Sequence, residues 1–400
     1  MEGSFKLPKL VPKQKKDLEL PRFDWASIAK QKKLGSGSFG SVYLAKHAGT
    51  AQNVVVKKLK SVSIDSQTRF VEEAKILNSV KGHRNISKFL GFCSEPHSIM
   101  MQYSRFDFGF FGVEKSVSSL ADFLQFVDTE FEFSSVANLL PVCVKDILAG
   151  LDYLHNHNIA HRDLKPGNIL VCNQHLDDVA GDDKAMAKAY EECPIVCQLT
   201  DFGLSRSVDI QTNHEDLKRA DMWSLGLVMH IMINPDLGSP YRAELEQSSA
   251  PDIHMALKDL LTKHRLPQHG AKYEQLRITS WWQLEDIFNR CANFDAMARP
   301  STAEMLCLIN KSLVNYLTPP PNDLVLTTRL HRKYPKDGQL QISPTISSVY
   351  LHVSSYCARA ALPDFTPALC YLPNDLAPFL HKEHYDLMYA KLGLRFAQNL

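Results

Sequence analysis

The apolar positions of this chain change their period several times along its length. Val42-Tyr43-Leu44 is a short β-prone run, and Val54-Val55-Val56 is a continuous apolar run that reads as a buried strand. Ile99-Met100-Met101-Gln102-Tyr103 and Ile195-Val196-Cys197-Gln198-Leu199 read as further strands. Helical spacing appears first at Phe70, Ala74 and Leu77, which share one face of a helix. It returns over Leu120–Val127 and over Leu139–His155, where Val142, Ile147, Leu151 and Leu154 recur. Trp281–Leu317 also reads as helical, through Trp282, Leu284, Ile287 and Phe288 and then Met305, Leu306, Ile309 and Leu313. The order predicts an α+β protein, with a small β-rich part followed by a larger helical part. Thr318-Pro-Pro-Pro-Asn-Asp323 marks a boundary. Beyond it, residues 318–400 carry one amphipathic helical pattern, Leu376–Leu392, with Leu380, Leu387, Met388 and Leu392 apolar.

Composition narrows the class. The 45 basic and 44 acidic residues nearly cancel, so charge makes no case for nucleic acid or membrane as the main partner. No apolar run reaches the ~18 residues of a membrane span, and no apolar signal core is visible at the N-terminus. Nine scattered cysteines predict reduced thiols, in the cytoplasm or alternatively the nucleus. Cys193 and Cys197 are close in sequence, but two thiols do not make a zinc site. Residues 1–27 form a basic arm with Lys6, Lys9, Lys13, Lys15 and Lys16 among prolines, which reads as disordered.

Three stretches carry candidate chemistry. Gly35-Ser36-Gly37-Ser38-Phe39-Gly40 has the G-x-G-x-x-G spacing, which lets backbone N–H groups approach a polyphosphate. It leads into β-prone residues rather than a helix, which argues against a Rossmann fingerprint. A lysine, Lys57, ends the buried strand, and a buried lysine is costly unless paired or bound to an anion. Two carboxylates on the following helix could pair with it. Glu73 lies beside the apolar face, while Glu72 reads as solvated. In Ile159-Ala-His-Arg-Asp-Leu-Lys-Pro-Gly-Asn-Ile-Leu-Val171, the Asp163 carboxylate can accept a proton from an attacking hydroxyl. Lys165 can neutralise a phosphoryl group, and the Asn168 amide oxygen suits a hard cation such as Mg²⁺.

Together with Asp201-Phe202-Gly203, these motifs resemble, in order, those of the eukaryotic protein kinases over about residues 28–317. The resemblance implies a two-lobed fold, with residues 28–103 as small lobe, 104–317 as large lobe and ATP between them. It implies that Gly35, Ser36, Gly37, Gly40, Val42, Val55, Lys57, Glu73, Met101, Gln102, Tyr103 and Leu170 serve nucleotide binding. By the same pattern Lys57 anchors phosphates and pairs with Glu73, Asp163 and Lys165 are catalytic, and Asn168 and Asp201 hold Mg²⁺. Lys165-Pro166 matches the serine/threonine type, so the implied substrate is a protein with a serine or threonine acceptor.

Four departures stand out. Val55 occupies a position where the family most often has alanine, which implies a tighter adenine pocket. An aspartate-rich stretch, 172–194, lengthens a connection that is usually a turn, and reads as a solvated, partly helical insert. Ser205–Arg219 is short, and no Ala-Pro-Glu follows it before Asp221-Met222-Trp223, the residues expected to brace the catalytic loop. Arg299, in Phe294-Asp-Ala-Met-Ala-Arg-Pro300, then lacks the glutamate it normally meets, which predicts a loosened large lobe. Two readings follow: an active serine/threonine kinase, or a nucleotide-binding scaffold with impaired transfer.

Overall fold

A computed structural model describes residues 19–36, 40–60, 63–131, 139–207, 214–248, 252–271, 273 and 282–313. The basic arm up to residue 18, Gly37, Trp281 and everything after Leu313, including the 376–392 pattern, lie outside the described residues. The described residues form two compact units. One runs to Tyr103 and includes Phe202–Ser205; the other comprises Ser104–Asp201 and the residues from Arg206 onward.

The smaller unit is a five-stranded antiparallel sheet, with strands β1 (Ile28–Ser36), β2 (Gly40–His47), β3 (Asn53–Leu59), β4 (Phe89–Ser94) and β5 (His97–Gln102) in the order β1-β2-β3-β5-β4. In β3, Val54 and Val56 face a core cluster with Ile28, Ala45 and Met100, over which Phe23 and Trp25 pack. Strand alternation therefore turns Val55 and Lys57 to the other face. Helix α1 (Ile64–Val80) starts at Ser63, whose hydroxyl accepts the Ser66 N–H at 3.3 Å. It buries Phe70, Ala74, Ile76, Leu77 and Val80 as its period predicts, and the turn Phe202–Leu204 lies against it.

The larger unit contains the short strand pair β6 (Phe106–Asp107) and β7 (Ser116–Val117), then α2 (Leu120–Glu130) and α3 (Leu139–Asn156). Strand β8 (Ile159–Ala160) leads into the catalytic-loop motif, and β9 (Ile169–Cys172) leads out of it. Helix α4 (Asp183–Glu192) lies in the insert, before β10 (Val196–Leu199) and β11 (Arg206–Ser207). Strand β9 pairs with β10 and β8 with β11. Helices α5 (His214–Ile233), α6 (Arg242–Glu246), α7 (Ile253–Thr262), α8 (Trp282–Cys291) and α9 (Thr302–Leu313) complete it. Helix α3 has eleven buried positions, among them Cys143, Ile147, Leu151 and Leu154.

The arm expected to be disordered to residue 27 is ordered from Pro21, which accepts the Phe92 N–H at 2.8 Å, and Phe23 and Trp25 pack on the sheet. Three further sequence expectations change. The stretch 281–317 is not one helix: residues 292–301 separate α8 from α9, with a 3-10 turn capped by Asp295 and Pro300 before the second helix. The insert is docked rather than simply solvated. Leu176 is fully buried, Asn173 exchanges hydrogen bonds with Asp107 (2.8 and 2.9 Å), and Tyr190 meets Phe111 edge-on at 5.8 Å. Its receiving surface is the aromatic run after β5, where Phe106 and Phe108 are fully buried. The third change concerns Arg299. Its guanidinium donates to the Asn293 and Arg219 carbonyls at 2.7 and 2.9 Å and lies 5.1 Å over the Trp223 ring. It is held by neutral acceptors and an aromatic face, so the missing glutamate does not leave it loose.

Helix α5 meets α8 at Gly226, where a Cβ would stand 2.8 Å from the Ala292 nitrogen. Only glycine fits that approach. Gly226→Val should lower stability by ~1–3 kcal/mol, the usual cost of overpacking, read as a shifted urea midpoint. A midpoint equal to that of the parent would show that the two helices do not approach this closely.

Candidate active site

The smaller unit supplies an ion pair. Lys57 stands on the central strand β3, opposite Val42 on β2 and Ile99 on β5. Its Nζ lies 2.6 Å from Glu73 Oε1, with side-chain exposures of only 8% and 3%. Glu72, one residue earlier, instead pairs at the surface with Lys75 at 2.9 Å. The carboxylate beside the apolar stripe is therefore the one that meets the strand lysine. Removing either partner of such a pair leaves an uncompensated buried charge, a loss of ~3–5 kcal/mol.

The glycine motif is seen in part. Gly40 is required by the fold itself, because a Cβ there would lie 2.7 Å from the Lys58 carbonyl oxygen. Gly35 has open space where a Cβ would be. Ser36 Oγ lies 3.2 Å from Ser41 Oγ, and Gly37 falls outside the described residues. Val42 and Val55 are half-buried, Met101 is buried opposite Val55, Gln102 is exposed and Tyr103 is half-buried. In the larger unit Leu170 on β9 is half-buried, bridged to Ser119 and opposite Gln198.

The larger unit builds the catalytic-loop motif around one buried carboxylate. Asp221 on α5 is fully buried and accepts the backbone N–H groups of His161 (2.8 Å) and Arg162 (2.7 Å). His155 Nε2 lies 2.9 Å from the same carboxylate. Arg162 adopts a left-handed backbone with φ +68°. A non-glycine residue holds that conformation only where its surroundings impose it, and the Asp221 bond to its N–H is part of that restraint. The turn directs Asp163 outward, with a part-exposed carboxylate.

That carboxylate is held from two sides. Lys165 Nζ donates to its two oxygens at 3.0 and 2.8 Å. The Asn168 amide donates to Asp163 Oδ2 at 2.8 Å and to its carbonyl oxygen at 2.9 Å. Both Asn168 donors are thus occupied, and among the described residues its Oδ1 has no hydrogen-bond partner, which leaves an oxygen suited to a hard cation. The Asn168 carbonyl accepts the Thr200 N–H at 3.0 Å, so the loop is stitched to the residue before Asp201. Asp201, half-buried with φ +63°, also has a strained left-handed backbone.

The sequence motifs did not single out His161 or His155. The signal available for His161 was its place directly before Arg162-Asp163. The imidazole of His161 is fully buried, with Nδ1 accepting the Asp163 N–H at 3.3 Å and Nε2 donating to the Thr200 carbonyl at 3.1 Å. Burial pushes its pKa below the usual value of 6.5, and the opposing pull of Asp221, Asp163 and Asp201 does not overcome this.

Comparison with known proteins follows from this geometry. The family model of the protein kinase domain matches residues 28–308. The chain belongs to the protein kinase family. Among curated proteins this kinase domain is 24% identical over 290 residues to the serine/threonine-protein kinase STY17 of Arabidopsis thaliana, covering 72% of this chain and 45% of that protein. It is 28% identical over 286 residues to the mitogen-activated protein kinase kinase kinase A of Dictyostelium discoideum, covering 68% and 26%. It is 29% identical over 281 residues to the serine/threonine-protein kinase pakG of the same organism, covering 68% and 20%. The chain thus spans less than half the length of these relatives. Among the described residues no helix is long and apolar enough to cross a membrane.

The neutral His161 makes a pH prediction. Its folded pKa lies below its unfolded one, so the unfolded chain takes up the proton first as pH falls. The stability this histidine contributes is present above about pH 6.5 and is lost as pH drops from there toward the folded pKa. In a histidine NMR titration, its midpoint should lie below the ordinary imidazole value of 6.5. A midpoint at or above 6.5 would contradict the assigned hydrogen-bond roles.

Proposed function

We propose that the chain is an ATP- and Mg²⁺-dependent kinase that transfers phosphate to serine or threonine hydroxyls of proteins. The observation that carries this reading is the Asp163 carboxylate, fixed by Lys165 and Asn168 on a loop pinned by Asp221. Such rigidity serves a reaction in which positioning and charge stabilisation do most of the work. The printed names of the serine/threonine kinase relatives and the Lys165-Pro166 pair support the acceptor class.

Each residue then has a chemical task. Asp163 orients the acceptor hydroxyl and takes its proton. Lys165 holds both Asp163 oxygens in place before transfer and neutralises charge on the phosphoryl group during it. Lys57, with Glu73 fixing its position, binds the nucleotide's phosphates. Asn168 through Oδ1 and Asp201 through its carboxylate would hold Mg²⁺, which when bound neutralises phosphate charge. By the kinase resemblance, Gly35, Ser36, Gly37 and Gly40 would admit the polyphosphate to the backbone, and Val42, Val55, Met101, Gln102, Tyr103 and Leu170 would serve the base. Val55, bulkier than the alanine it replaces, would then narrow the space for that base.

A second reading has its own observation. Asp221 follows Asp201 by only twenty positions, and no Ala-Pro-Glu lies between them. The platform for an acceptor peptide is therefore short, and a nucleotide-binding scaffold with slow transfer fits as well.

Two measurements test the proposal. Mg-ATP at about a hundred times its dissociation constant should stabilise the fold by ~2.7 kcal/mol, seen as a raised melting temperature. No thermal shift would remove nucleotide binding from both readings. In single-turnover assays, Lys57→Met and Glu73→Gln should each lower activity, and the double variant should lose little more than Lys57→Met alone, because the two act as one unit. Fully additive losses would contradict the pair's joint role.

A further inference from the structure

Around the Arg299–Trp223 contact, α5, α7 and the 294–299 turn enclose a groove of about 380 Å³, lined by Ala220, Trp223, Ser224, Leu261, Phe294 and Arg299. Its walls are aromatic, with the Trp223 and Phe294 rings edge-on at 4.9 Å. One lining residue, Arg299, is cationic, and Arg219 lies beside it. Arg219 and Arg299 each donate to the other's backbone carbonyl, and Arg219 also donates to Met297 at 3.2 Å.

All the acceptors of these two guanidiniums are neutral carbonyls. Among the described residues no carboxylate lies within ion-pair distance of either. Asp295 is near, but its Oδ1 caps the turn by accepting the Met297 N–H at 2.9 Å. Burial lowers the Arg299 pKa; the Asp295 carboxylate opposes this and the like charge of Arg219 adds to it, while Arg219 also acts on the exposed Glu304 carboxylate. A half-buried cation beside a second cation, walled by aromatic rings, is complementary to a carboxylate carried among apolar side chains. Leu261 on one wall and the exposed Met297 beside Arg219 add apolar surface for the neighbours of that carboxylate.

The chain itself contains such a segment. Helix α9 begins at Thr302, three residues past Arg299, and its twelve residues span ~18 Å. At up to ~3.3 Å per residue, the chain from 314 to 376 reaches well beyond that distance. In the sequence Leu376–Leu392, Leu380, Glu383 and Leu387 recur at helical spacing, a carboxylate between two leucines. Covalent attachment makes this encounter intramolecular and so favours it over the same contact between separate molecules.

We propose that the groove is a docking site for residues 376–392 of the same chain, with Glu383 meeting Arg299 and with Leu380 and Leu387 packing on Trp223 and Leu261. The proposal concerns binding only and stands whether or not the chain transfers phosphate.

The test uses the full chain with a photo-crosslinking phenylalanine at position 224, and, should that substitution unfold the protein, at position 261. Cross-linked peptides are identified by mass spectrometry. Irradiation at low protein concentration should join the probe to residues 376–392 in a product of monomer mass. Glu383→Lys should reduce that product about tenfold, the equilibrium change that one charge-assisted hydrogen bond carries. Cross-links only in a dimer-mass product would assign the groove to a second copy and overturn the proposal. Cross-links elsewhere, none at all, or an unchanged yield with Glu383→Lys would overturn it as well.

Discussion

The catalytic loop depends on one buried carboxylate. Asp221 sits in the interior with two backbone N–H groups and an imidazole bonded to it. An ionised carboxylate in that environment is tolerated only with such partners, and the partners hold their geometry only while the carboxylate is there. The strained Arg162 backbone, the outward turn of Asp163 and the burial of His161 follow from that restraint. Gly226, five residues along the same helix, fixes α5 against α8. The helix that carries the brace is thus anchored by packing before it anchors the loop.

In the smaller unit the comparable element is Lys57–Glu73. A buried ion pair is a poor device for stability, since apolar residues of similar volume often serve as well or better. Its place on the central strand of a five-stranded sheet makes sense if the lysine is kept charged and fixed for an anionic ligand. The two units therefore share a design: charged groups held rigid at a cost to folding, in positions suited to phosphate chemistry.

Much of this was legible in the sequence because the relevant signals are local. The stripe Phe70, Ala74, Leu77 separates Glu73 from Glu72, and short motifs mark Asp163, Lys165, Asn168 and Asp201. Other features left no local signal. Arg299 found backbone carbonyls and a ring face instead of a carboxylate, and carbonyls have no sequence signature. The insert is anchored by the buried Leu176 and by Asn173 and Tyr190, single residues whose partners lie about seventy to eighty positions away. The stretch 281–317 keeps apolar spacing on both sides of its break, so periodicity alone joins two helices that Asp295 and Pro300 separate. His161 was passed over because a histidine's role lies in which atoms meet its ring.

The account stands most directly on Asp163. The measurement is transfer of labelled γ-phosphate from ATP, to the chain itself and to an added protein, by the parent and by Asp163→Asn at equal nucleotide occupancy. The account predicts transfer by the parent that falls by about 10²–10⁴-fold in Asp163→Asn, the range for loss of a general base, with nucleotide affinity nearly unchanged. Equal transfer by the two proteins would contradict it.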